Sequence, residues 1–450
     1  MIATAVAAFR KESLRKQPTA VGGFGNIFPN SKMIVTDRLY HCILENKLLL
    51  GIFFLGLFLR LFGIWHGWPF IYNVDEPALV RSAVGIRFGP NPHHFDWPHL
   101  HFYLTFGVLA FAYLVRVFFQ VSGLRPLVES FAPFFWQDPA VYYLITRIFN
   151  ASLGALTVVP VYLIGKKLFN KRIGLFSALA LAVVPFHVQN SHMATVDIPL
   201  TFWLAWSLYF SARVLKEGRR PPEALEKGGR WKNYILSGAF AGFAASTKYN
   251  GILVLFCTGL AHLGYCSHHP ELGSGSGSGR GVRFRNKFGM ILKAAISSRE
   301  ILKPVVSVLI ALLFFLIGTP YALLDWRTFW SYEYPKGVLW QFLDVGQVGS
   351  WAAFFTNGRK VLVEFFPSNL SLPFFMIVIG SFVEFLLLQK SAELALLFFF
   401  PILYSLLVIR GIKFSQHYFL PIYPFLVLLI GRFVAKISRF QEKRKCTVYL

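Results

Sequence analysis

The sequence predicts an all-α polytopic membrane protein: a bundle of about ten transmembrane helices, with further helices lying at one membrane face. Three observations carry that expectation. Long apolar runs recur along the 450 residues, where a bilayer needs about 20 apolar residues per helical crossing. The composition is 55% hydrophobic and 17% aromatic with only 15% charged, against roughly 25% charged in soluble domains. The basic residues behind the net charge of +24 gather in short loops and tails between the apolar runs. That distribution is the positive-inside pattern and argues against a nucleic-acid partner. Barrel-type strand alternation is absent.

In chain order, residues 1–45 are polar and basic (Arg10, Lys11, Arg15, Lys16) and lack the apolar centre and cleavage site of a signal peptide. They read as a cytoplasmic tail. Spans are expected at 46–64, 142–163, 174–188, 197–213, 233–247, 251–266, 303–320, 370–388, 393–409 and 417–434. The run "LHFYLTFGVLAFAYLVRVFF" (100–119) is also long enough to cross. A crossing there would turn three basic segments outward: "GKKLFNKR" (165–172), "RVLKEGRRPPEALEKGGRWK" (213–232) and "KISRFQEKRK" (436–445). Reading it as an interfacial outer-leaflet helix returns all three to the cytoplasm.

The membrane domain then covers 46–435, with outer segments at 65–141, 188–196, a turn near 248, 321–369 and 410–416. A cytoplasmic loop at 267–302 holds the flexible "LGSGSGSGRG", and a second basic tail covers 436–450. Cys42, Cys257, Cys266 and Cys446 show no metal spacing, and this topology predicts no lumenal disulfide. No internal repeat is visible, which weighs against an inverted-repeat transporter.

Polar groups concentrate on the outer side. Asp75 and Glu76 precede Pro77, a helix-start signature. A carboxylate there is either a helix cap or an ionised base or metal ligand aimed by the helix end. Asp197 with Pro199 repeats the arrangement beside His192, with the same two alternatives. Lys248 interrupts an apolar stretch in "STKYNG". An ammonium at that depth either snorkels to the interface or pairs with an anion such as a lipid phosphate.

"VIRGIKFSQHYFLPIYPF" brings Arg410, Lys413, His417 and Tyr418 to the mouth of the last span, an anion-site composition on the face where positive charge is disfavoured. Arg81, His192 and Glu333 are candidates for orienting an acceptor. The cluster His93, His94, His99 and His101 suggests a divalent metal, with Asp75 and Glu76 joining His93 and His94, and the alternative for His99 and His101 is to anchor the 100–119 helix.

These residues carry a resemblance. "NVDEPAL", "NPHHFDWPHLHFYL", the stretch from "RIFNASLGAL" through "MATVDIPLTFW", "STKYNG" and "FSQHYFLPIYPFLVLLI" occur in order over roughly 45–435. Together they resemble the GT-C superfamily of membrane glycosyltransferases, in the lipid-carrier-dependent branch with protein O-mannosyltransferases and aminoarabinose transferases. The resemblance implies a GT-C-like bundle with outer juxtamembrane helices. It also implies an inverting enzyme that moves a sugar from a polyprenyl or dolichyl phosphate to an acceptor hydroxyl. On that resemblance Asp75 is the general base with Glu76 as its neighbour, Asp197 orients acceptor or metal, and Lys248 meets the carrier phosphate.

Elementary chemistry points the same way. A lipid phosphate leaving group asks for cations at headgroup depth, and the attacking hydroxyl asks for a carboxylate. A lipid-borne sugar asks for no nucleotide-binding Gly loop, and none is present. A divalent metal, found in only some relatives, stays open. The implied partners are the lipid-linked donor, a glycan, lipid or protein acceptor, and membrane lipids. The compact form, without a soluble C-terminal domain, leans towards a bacterial inner membrane with the site facing the periplasm. The alternatives are an O-antigen ligase or polymerase and a secondary transporter. A transporter would need charges near mid-membrane on broken helices rather than at span ends.

Overall fold

The computed structural model describes residues 47–70, 73–118, 139–218, 229–268, 295–296, 300–333, 337–345, 347–387 and 391–448. The basic N-terminal tail and the Gly/Ser linker lie outside the described residues. The described residues from Leu48 onward belong to one compact unit. Among the described residues the regular structure is helical, joined by turns and irregular loops, with an isolated antiparallel bridge between Val348 and Gly411.

Helix α1 covers 47–61. Next come α2 (Asp75–Gly85) and α3 (Leu100–Phe118). Helices α4 (Pro139–Leu156) and α5 (Val158–Leu168) form a 30-residue apolar run. They are followed by α6 (Lys171–Val183), α7 (Pro185–Ser191), α8 (Asp197–Glu217), α9 (Gly229–Ala245) and α10 (Leu255–Ser267). The remaining principal helices are α11 (Leu302–Gly318), α12 (Trp351–Lys360), α13 (Leu372–Leu387), α14 (Ala392–Ile409) and α15 (Tyr423–Val448).

Each of the ten expected spans is occupied by a helix. By length and hydropathy, six helical segments among the described residues are able to cross a membrane, or seven when the bent pair α6–α7 counts as one. The difference from ten has a simple origin. Helices α1, α9, α11 and α13 are shorter than 18 residues, below the usual spanning length. Helix α3, expected at the interface, is 19 residues long and meets the same test as the core helices. It is their most peripheral member, with 33% of its apolar window buried against 72% for α8 and 78% for Gln416–Arg439.

The core lies where α8 and α15 meet their neighbours, built from Leu204, Leu208, Tyr404, Phe400, Phe425 and the leucines of α15. Helix α11, by contrast, exposes Leu309, Leu312, Leu313 and Ile317. An apolar helix with its side chains turned away from the protein is suited to lipid. It contacts α9 through small residues: a β-carbon at Gly238 or Gly242 would overlap the backbone at Ser307 or Ala311. The small-xxx-small spacing therefore sets how closely these two helices approach.

One break shapes the side expected to face outward. Pro185 has no N–H to give the carbonyl of Leu181, and the axis bends by 56° between α6 and α7. The fully buried guanidinium of Arg60 supplies the missing donors. It reaches Leu181 O at 3.0 Å and Ala182 O at 2.9 Å, and also lies 3.2 Å from Ser191 Oγ and 2.9 Å from His187 Nδ1. A charge at this depth is expensive unless its donors are satisfied. Here they hold the bend that leads into the loop before Asp197.

Candidate active site

The segment expected as the first outer loop delivers two carboxylates with different surroundings. Asp75 opens α2, but its side chain caps no backbone group; instead, Asn73 Oδ1 accepts the Asp75 N–H at 2.9 Å. The Asp75 carboxylate is half-buried and has no hydrogen-bond or ionic partner among the described residues. One residue on, about 100° round the helix, Glu76 is fully buried. It accepts both prongs of the Arg147 guanidinium, at 2.8 and 2.7 Å, and the N–H of Ala194 at 2.8 Å. Arg147 also donates to the carbonyls of Ile64 and His66, at 3.3 and 2.9 Å. Glu76 is thus consumed in a bidentate pair that ties the first outer loop to α4 and to the second loop. Asp75 is left available.

The second outer loop is fixed from several directions. The Asn73 amide reaches Met193 Sδ at 2.8 Å, and Asn150 donates to the carbonyls of Met193 and Thr195 at 2.8 and 2.7 Å. Asn150 is itself held by His101 Nε2 at 3.0 Å. These bonds place Asp197 at the start of α8, 3% exposed. Its carboxylate likewise makes no cap. Lys248 Nζ donates to Asp197 Oδ1 at 2.7 Å and sits 4.6 Å from the centre of the Tyr418 ring. Beside them Asn250 donates to Tyr404 Oη at 2.6 Å.

The turn carrying Lys248 is anchored on the same side. Leu100 N–H reaches Ser246 O at 3.0 Å, Ser246 Oγ meets Thr319 Oγ1 at 2.7 Å, and Tyr249 Oη donates to Phe95 O at 2.7 Å. The ends of α9 and α11, the start of α3 and the first outer loop therefore meet around this turn. A partly exposed cation between a carboxylate and an aromatic face, with a free carboxylate in the adjoining loop, is able to bind a phosphate and to accept a proton.

The other candidates are distributed more widely. His417 contacts Ser415 Oγ at 2.9 Å and lies edge-on to Tyr418, close to the pair. Arg410 is exposed, and its backbone carbonyl accepts the Gly349 N–H at 2.9 Å. Lys413 pairs with Asp344 at 2.6 Å near Trp340. Neither cation contacts Lys248, so of the five residues expected at the phosphate, Lys248 and Tyr418 meet, with His417 packed against Tyr418. His192 meets Leu59 O at 3.1 Å, and burial holds its pKa below the ordinary histidine value. Arg81 and Glu333 are both exposed.

The expected metal ligands do not assemble. Among the described residues, no group of three or more His, Cys, Asp or Glu side chains is close enough to hold a metal ion. The reason is local: Glu76 faces Arg147, His94 is bound between Ser82 and Asp96, and His93 is exposed beside Asn91.

Sequence reasoning missed Arg60, Arg147, Asn150, Asn250 and Tyr404. Two of them had a visible signal, since Arg60 and Arg147 each interrupt an apolar run and a cation there requires partners.

Residues 143–265 match the family described as dolichyl-phosphate-mannose-protein mannosyltransferase. This segment contains Arg147, Asn150, Asp197 and Lys248, while Asp75 lies outside it. Dolichyl-phosphate-mannose–protein mannosyltransferase 1 of Saccharomyces cerevisiae is 31% identical over 122 residues, covering 26% of this chain and 14% of the yeast protein. Among solved structures, the apo oligosaccharyltransferase of Archaeoglobus fulgidus aligns with 90% of this chain at a TM-score of 0.50 and 14% identity. The same organism's AglB, in complex with an inhibitory peptide and a dolichol-phosphate, aligns at 0.51 and 13% identity, also over 90% of this chain. ArnT from Cupriavidus metallidurans bound to undecaprenyl phosphate aligns over 87% at 0.49 and 15% identity. The chain spans 52% of each archaeal structure and 59% of ArnT. The GT-C fold expected from sequence is the fold of this chain.

Proposed function

We propose that this chain, with its GT-C-like fold and a segment similar to protein mannosyltransferases, is an inverting transferase that moves a hexosyl or pentosyl group from a polyprenyl- or dolichyl-phosphate donor to an acceptor hydroxyl. The reaction takes place at the membrane face opposite the basic loops. The carrying observation is the meeting of Lys248, Asp197 and Tyr418, brought together from three separate segments, beside the loop that presents Asp75. Support also comes from the lipid-phosphate carriers named for the archaeal and mannosyltransferase relatives.

In this reading Asp75 accepts the proton of the acceptor hydroxyl as its oxygen attacks the anomeric carbon. The bond to the carrier phosphate breaks on the opposite side, and Lys248 offsets the charge that gathers on the leaving phosphate. Asp197 and the Tyr418 ring hold Lys248 in place. Glu76, through Arg147 and Ala194, positions the loop and touches no substrate. Direct displacement by one oxygen inverts the anomeric configuration.

The test is to incubate the purified protein, in lipid nanodiscs, with a panel of polyprenyl-phosphate sugars and hydroxyl acceptors, and to follow release of the carrier phosphate. Consumption of at least one donor is expected, with transfer reduced by about 10²–10⁴ in Asp75→Asn. A panel left untouched, or full turnover by that variant, would refute the assignment.

A further inference from the structure

Helix α2 presents a continuous outward stripe. Its inner face buries Glu76, Leu79, Val80, Ala83 and Val84, while Asp75, Ala78, Arg81, Ser82 and Gly85 remain partly or fully exposed. Ala78 and Gly85 keep the stripe low. At its far end lies a cavity of about 400 Å³ with walls from Arg81, Ser82, Gly85, Phe88, Asn91 and His94.

The walls are fixed before any ligand arrives. Ser82 Oγ lies 3.0 Å from His94 Nε2, and His94 Nδ1 lies 2.5 Å from Asp96 Oδ1. Asn91 donates to Asp325 at 2.8 Å, and Tyr103 Oη donates to Pro90 O at 2.9 Å. No acidic side chain lines the cavity. Asp96 balances His94, while Arg81 has no carboxylate partner among the described residues. An exposed guanidinium on the rim of a cavity whose walls are held by hydrogen bonds is suited to a bidentate carboxylate. Asp75 and Ser82 are seven residues apart, so they share a face about 10 Å apart along the axis. An extended peptide covers that distance in about three residues.

We propose that this cavity is an acceptor subsite that takes the carboxylate of an acidic residue three positions from the acceptor hydroxyl in an extended peptide. The proposal rests on Asp75 as the acceptor-side base. The stripe carries the peptide backbone, and Arg81 reads its acid.

Two fluorescent peptides test this, each with a single Ser and carrying either Asp or Asn three positions away, titrated onto the full-length protein in nanodiscs. The Asp peptide is expected to bind about tenfold more tightly, from the extra charge-assisted bonds. In Arg81→Gln that ratio falls to about one. Gly85→Phe weakens both peptides by filling the cavity. Gly85 has a φ of −63°, and a β-carbon added there would meet no atom within 4 Å, so the fold accommodates the ring's attachment.

Equal binding of the two peptides to the wild-type protein, or undiminished selectivity in Arg81→Gln, would overturn the subsite. Selectivity that vanishes once anionic lipid is added to zwitterionic discs would assign Arg81 to a lipid headgroup and overturn it equally. Sugar transfer is read in the same samples. Transfer without charge selectivity removes the subsite and leaves the base; selective binding without transfer from any donor removes the base and leaves the pocket.

Discussion

Adjacent residues in one motif can have opposite uses. Asp75 and Glu76 are indistinguishable in the sequence, where both suit a helix start, yet the helical turn between them sends Glu76 into Arg147 and leaves Asp75 without a partner among the described residues. Removing one member of a buried pair strands the other, at a cost of about 3–5 kcal/mol. Glu76→Gln is therefore expected to lower the thermal unfolding temperature in detergent markedly, while Asp75→Asn leaves it nearly unchanged and lowers transfer; equal melting losses would erase the distinction. His99 gives a pH dependence. Burial lowers its pKa to about 4 from an ordinary 6.5, so between those values the unfolded chain takes up a proton that the fold refuses. Its contribution is intact above pH 6.5 and is lost as the pH falls towards 4, by up to about 3 kcal/mol. Melting curves at about pH 7.5 and 5 should converge in part for His99→Gln; an unaltered pH response would contradict this.

At the scale of elements, helix positions were legible because each apolar run is helical, whether as one helix or as a broken pair such as α6–α7, and the Asp197–Lys248 convergence followed from assigning both to the same side. Span lengths were less legible, since hydropathy does not say where a helix unwinds into a loop. The partners of Arg60 were not legible at all: its acceptors are backbone carbonyls freed by Pro185, more than 120 residues away. The guanidinium and the proline form a matched device, which predicts non-additivity. Arg60→Met should be strongly destabilising, leaving two buried carbonyls unsatisfied at about 1–3 kcal/mol each. In a Pro185→Ala background, where an N–H is restored for Leu181, the same substitution should cost less. Identical losses in both backgrounds, measured by thermal unfolding, would show that Arg60 does not serve the break.

Across the whole molecule, the loops that open α2 and α8 and follow α9 bring Glu76, Arg147, Asp197 and Lys248 together, so the fold works as a frame for a few loops. The first outer loop is tied to the second by Glu76, and the second to the Lys248 turn by Asp197. The cations of the 410–418 segment illustrate the limit of sequence reasoning: a favourable composition brought His417 and Tyr418 to Lys248, while Lys413 went to Asp344. Composition says which charges share a membrane face, and only packing says which of them touch. The division of labour between Asp75 and Lys248 is tested most directly by equilibrium binding of a lipid-phosphate sugar to Asp75→Asn and Lys248→Met side by side. Donor affinity should fall at least tenfold, about 1.4 kcal/mol, in Lys248→Met and stay at the wild-type value in Asp75→Asn; undiminished affinity in Lys248→Met, or a loss confined to Asp75→Asn, would contradict it.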